Sequence, residues 1–131
     1  MLATADIAQF YGTERYHRWS PLFRNMVLTD GAEYVAENGG AHGAYWLMDA
    51  IASWQPELRK HADQRLRDMQ FWTLTVHEDK SAELVCLADN GEPPAAQQHI
   101  EYTDFDLPTI DLWVGPVEED RKRVIMLPSE Y

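Results

Sequence analysis

Near residue 69 the chain changes its period, and that change constrains the fold more than any motif does. Upstream, apolar residues recur at helical spacing; downstream, short β-rich runs alternate with turn residues. In TDGAEYVAENGG, Asp30 followed by Glu33 resembles a capping box, and Asn38, Gly39 and Gly40 form a stop, which predicts a helix over 31–38. A second helix is expected from about Gly43 to Ser53, apolar around nearly its whole circumference and therefore buried. Pro56 suits the first turn of a third, PELRKHADQRLRDM, whose Leu58, Ala62, Leu66 and Met69 make one stripe. A short N-terminal helix fits Ala3 to Phe10, and GTERYHRW reads as an irregular arm or short strand. Beyond residue 69, QFWTLTVHEDKSAELVCLAD reads as a hairpin turning at Glu78 to Ser81. QHIEYTDF, IDLWVGPV and RVIMLPSEY follow, with another hairpin around EEDRK. Helices first and strands after predict an α+β fold: N-terminal helices on one face of an antiparallel meander sheet of four or five strands in sequential order. The reading is one domain over 1–131, helical to about residue 68 and sheet from about residue 69.

At 131 residues such a chain buries a core without disulfides or a structural metal. Its single cysteine, Cys86, lies in the apolar run ELVCLA and reads as a small buried hydrophobe. The longest apolar runs fall far short of the roughly 18 residues a membrane span needs, and MLATADIAQF lacks a basic n-region and an apolar h-region. A cytoplasmic protein is expected.

Charge is the most unusual global property: 22 acids against 11 bases, a formal net of −11. From His77 onward thirteen acids face four bases. Direct binding to nucleic acid, which rests on Lys and Arg neutralising phosphates, is disfavoured, and a partner with a basic surface is favoured. The residues expected to meet it are Glu78, Asp79, Glu101, Asp104, Asp106, Asp111, Glu118 and Glu119, which on one rim of the sheet would imitate phosphate spacing.

Catalytic and cofactor signatures are sparse. GGAHG follows a helix rather than a strand and lacks the P-loop lysine, so its glycines read as a helix stop and a turn. The five histidines form no HxH or HxxxH pair, no GxSxG is present, and neither a metal nor a cofactor is predicted. Asp49, on an apolar helix, must reach solvent or a hydrogen-bond donor. The arm supplies the one enzymatic alternative. Glu14, Arg15, His17 and Arg18 beside aromatics could orient a small anionic ligand, whereas the structural reading is an arm packed over the core through Tyr16 and Trp19.

Several blocks together resemble a family: GTERYHR at 12–18, TDGAEYVAENGGA at 29–41, AYWLMDAIAS at 44–53, FWTLTVHEDKSAELVC at 71–86, QHIEYTDFDL at 98–107 and the ending LPSEY. The chain is similar to an uncharacterised domain-of-unknown-function family of small bacterial proteins carried on phages, plasmids and integrated elements. That resemblance brings no catalytic residues and implies a mobile-element setting. An acidic protein in that setting is expected to inhibit a host defence complex by stoichiometric binding, anti-CRISPR-like, blocking a basic nucleic-acid channel. A small-molecule enzyme working through Glu14, His17 and Arg18 is the alternative, and a dimeric adaptor using its tryptophans is a third reading.

Overall fold

The computed structural model describes residues 2–117 and 122–131. It is α+β, with helices preceding strands except for one short strand near the start. In chain order the elements are α1 (Thr4–Ile7), β1 (Met26–Leu28), α2 (Asp30–Asn38), α3 (Tyr45–Ser53), α4 (Gln55–Arg59) and a 3-10 turn at Gln64–Arg67. The strands β2 (Gln70–Val76), β3 (Ala82–Leu87), β4 (Ala96–Ile100), β5 (Thr109–Val117) and β6 (Lys122–Met126) follow, with a last 3-10 turn at Pro128–Glu130.

The helices predicted over 31–38 and from about Gly43 to Ser53 hold within two residues. Thr29 caps α2, its hydroxyl accepting from the Ala32 N–H, one of the donors a helix start leaves orphaned. The predicted N-terminal helix shrinks to one turn. The helix expected from Pro56 to Met69 breaks after Arg59, because Asp63 offers the chain a local alternative. Its carboxylate accepts from the Arg65 backbone N–H at 3.1 Å and pairs with the Arg65 guanidinium at 2.7 Å, which starts a new 3-10 turn.

The sheet corrects the predicted meander. It has six strands in the order β1-β6-β5-β2-β3-β4 and is mixed, since β1 runs parallel to β6 with Met26 opposite Arg123 and Leu28 opposite Ile125. Successive strands β4 and β5 lie on opposite sides of the β2–β3 hairpin. The connection between them buries Phe105 and Leu107 in the core and rounds the hairpin end, where the Val76 N–H donates to the Pro108 carbonyl and the Thr103 N–H to the Lys80 carbonyl.

Period-two alternation sends Trp72 and Leu74, Leu84 and Cys86, and Ile110, Leu112 and Val114 to the face packed by Val35, Leu47, Met48, Ile51 and Leu58 from the helices. Each fully buried Leu or Ile contributes roughly 1.5–3 kcal/mol of transfer free energy. On the opposite face, among the described residues, a small cluster forms, Val27, Val124 and Met126 with Trp113 and Val117 against them. There Phe71 and Trp113 meet edge to face at 5.1 Å, and Trp113 meets the exposed Tyr131 at 5.6 Å.

The C-terminal turn is tied back to the helical layer. Glu130 accepts from the Thr29 hydroxyl at 2.6 Å and the Gly31 N–H at 2.9 Å, which sets a carboxylate at the positive end of α2.

Candidate functional site

The turn between β2 and β3 is built locally. Lys80 takes φ +72°, and Asp79 accepts from the Ser81 N–H at 2.9 Å and its hydroxyl at 2.6 Å, contacts that hold the Asp79 carboxyl below its ordinary range. Next to it, Glu83 on β3 lies opposite His99 on β4, and carboxylate and imidazole meet at 2.6 Å. That hydrogen bond raises the His99 pKa, with the fields of Glu83, Glu101 and Asp79 adding to it. One carboxylate thus touches the imidazole and two more act on it through their charge, and the Thr103–Lys80 backbone bond pins the segment after β4 against the turn. Of the predicted acids, Glu78, Asp79 and Glu101 therefore lie at one end of the sheet. Glu83 joins them, a residue the sequence reading passed over because only the β3–β4 register shows that it faces His99.

Asp104 and Asp106 belong to the connection that rounds this same hairpin end, and each also holds a backbone N–H of its own chain. Asp104 accepts from the Ala41 N–H at 2.9 Å and so closes the turn between α2 and α3. Asp106 accepts from the Leu2 N–H at 2.9 Å and fastens the N-terminal segment. Asp111 lies on the face without helices and accepts from the Thr73 hydroxyl at 2.7 Å. Glu118 and Glu119 lie outside the described residues, as does the turn predicted around EEDRK.

The arm Glu14 to Arg18 is docked rather than free. His17 pairs with Leu28 through two backbone hydrogen bonds of 2.8 Å. Its ring nitrogens face Asp30 at 2.7 Å and Glu33 at 2.9 Å, both on α2. Asp30 accepts in addition from the Glu14 N–H at 2.9 Å, and the His17 bond leads the contacts that lower its pKa. The side chains of Glu14, Arg15 and Arg18 remain exposed, so the arm presents charges to solvent while His17 is held by carboxylates. Trp19 donates its indole N–H to Asp49 at 2.9 Å, which answers the polar requirement of that otherwise apolar helix. Cys86 is fully buried and burial pushes its thiol up to about 12, so it is no nucleophile.

The GGAHG turn is conformational in origin. Gly43 has φ +80°, and a Cβ there would come within 2.7 Å of the Ala36 carbonyl oxygen.

A feature with no counterpart in the sequence reading is a cavity of about 520 Å³ beside β1, β6 and α4. Its walls include Asn25, Arg59, Arg67 and Arg123 over a floor of Gln55 and Gln70. The two buried glutamines exchange reciprocal amide hydrogen bonds of 2.9 Å, and Gln70 also accepts from the Trp72 indole at 3.0 Å. Among the described residues no helix is long and apolar enough to cross a membrane.

No curated protein and no solved structure matches the chain. A family profile matches all of it, residues 1–131. The resemblance carried by its sequence blocks thus has its counterpart in a full-length match, and the chain belongs to DUF6876, a family of unknown function.

Proposed function

We propose that this protein is a stoichiometric binder of a basic protein surface, docking through the acidic end of its sheet. The observation that carries this reading is the gathering of Glu78, Asp79, Glu83 and Glu101 on adjoining turns and strands, in a chain of net charge −11. Acids grouped in this way steer a positive partner and set its register. The uncovered face carries an aromatic pair, Phe71 and Trp113, toward the far end of β2 from this turn, with Asp111 one pair nearer to it, a second patch of the kind that anchors interfaces. Asp104 and Asp106, in the connection that rounds the same end, extend this acidic surface while each also holds a backbone N–H of its own chain.

The mobile-element setting implied by the sequence resemblance gives this binder its specific form, an anti-CRISPR-like inhibitor acting in the bacterial cytoplasm that occupies the nucleic-acid channel of a host defence complex. In surface plasmon resonance against an isolated CRISPR effector, association should slow by about tenfold in the Glu78→Lys/Asp79→Lys/Glu101→Lys variant and weaken as salt rises from 0.05 to 0.5 M. Glu57→Lys, on α4, should leave it unchanged. Equal rates for all three proteins would sink the acidic-end reading, and failure to bind any effector, with no protection of an invading element in cells, would sink the inhibitor form.

A further inference from the structure

Where β1 meets β6, the 520 Å³ cavity adjoins a second of about 270 Å³, the two sharing Asn25, Gln55 and Arg59. The second extends the groove past Arg24 to Phe23 and Met26. Four arginines therefore line one continuous groove, and among the described residues no carboxylate lines it. Two acids stand for every base in this chain, so such a concentration of cations is against its composition.

Arg123 is the deepest of the four. One terminal nitrogen donates to the Arg67 carbonyl, and the other reaches the Leu66 and Asp68 carbonyls, each at 3.4 Å. Its Nε is buried and has no partner among the described residues. Burial lowers its pKa, with the field of Asp68 opposing that shift. Arg67 donates to the Arg59 carbonyl at 3.0 Å, which holds both residues at the rim. None of these arginines is in an ion pair among the described residues. A partly buried guanidinium satisfied only by carbonyl dipoles keeps charge that an anion can neutralise. The floor does not compete for that anion, because Gln55 and Gln70 saturate one another.

We propose that this groove binds a phosphorylated small molecule, with the phosphate between Arg123, Arg67 and Arg59 and the organic body directed toward Phe23. Guanidinium groups lining one groove match the several oxygens and double charge of a phosphate better than the single charge of a carboxylate. The volume suits a ligand of nucleotide or sugar-phosphate size. This site is separate from the acidic sheet end, opposite to it in charge and able to stand if that reading fails.

The test is isothermal titration of the full chain with pyrophosphate, AMP and acetate at constant ionic strength. Pyrophosphate and AMP should bind saturably and raise the unfolding temperature, and acetate should do neither. Arg59→Gln/Arg67→Gln, both at exposed positions, should weaken AMP by about tenfold or more with its circular dichroism unchanged, and Lys80→Gln, in the β2–β3 turn, should behave as wild type. Binding of pyrophosphate alone would overturn the placement of an organic body toward Phe23. The absence of saturable binding by either phosphate, or equal affinity in wild type and the double variant, would overturn the site.

Discussion

Gln55 and Gln70 are 6% and 2% exposed, and both are polar side chains where a leucine would be the ordinary choice. They persist because every donor has somewhere to go: each amide serves the other, Gln55 also reaches the Ile51 carbonyl, Gln70 the Leu66 carbonyl, and the Trp72 indole closes the set. Replacing one alone strands buried groups, so Gln70→Leu is expected to cost about 1–3 kcal/mol, and Gln55→Leu a similar amount. The Gln55→Leu/Gln70→Leu protein should lose less than the two singles added together, since removing both partners leaves fewer orphans. A urea-denaturation double-mutant cycle measures this directly, and strict additivity would refute the pairing. Nothing in the sequence marks these residues. They sit fifteen positions apart in different elements, and only the docking of α4 on β2 makes them neighbours.

At the scale of elements, glycine offers a controlled comparison. Gly43 and Gly91 have nearly the same left-handed φ, +80° and +81°, but a Cβ at Gly91 meets nothing within 4 Å, whereas at Gly43 it collides with backbone. Gly91→Ala should cost about 1–2 kcal/mol of conformational strain, and Gly43→Ala distinctly more, as read from thermal or urea unfolding. Equal costs would mean that the turn between α2 and α3 yields to the added methyl. The same local chemistry explains what could be read beforehand. α2 and α3 were legible because caps, stops and apolar period all lie within their own segments, and the β2–β3 hairpin because its turn residues stand between two β-rich runs. β1 was not, since three residues carry too little pattern and their partner lies almost a hundred positions away. The strand order was hidden for a related reason: nothing local says that β5 returns to the far side of β2. Of the candidate site, acids in the turns were visible as composition, but which backbone groups Asp104 and Asp106 hold depends on the folded chain.

The molecule as a whole should respond to pH in two directions. Asp30, Asp63 and Asp79 have folded pKa values below the ordinary 3.8, that of Asp63 at about 2 through its bonds with Arg65. Depressed carboxylates contribute stability that is complete above the unfolded value and lost as pH falls through the folded one, so acid destabilisation is expected to begin below about pH 4 and run toward 2. His99 has the opposite sign. Its folded pKa lies above the ordinary 6.5, so its contribution is full below that value and lost as pH rises through the folded pKa. Easing of self-repulsion in a chain of −11 also favours mildly acidic conditions. Urea midpoints should therefore peak near pH 5–6 and fall on both sides, with the alkaline decline smaller in His99→Gln; a midpoint still rising above pH 7 would contradict this. The parallel pairing of β1 with β6 has a consequence for how the protein is made. Residues 26–28 wait for residues 123–125, so during translation β1 stays without its neighbour until β6, almost a hundred residues later, has left the ribosome. Such a sequence-distant closure slows folding and makes the final strand its committing step, with an open strand edge exposed to chaperones in the meantime.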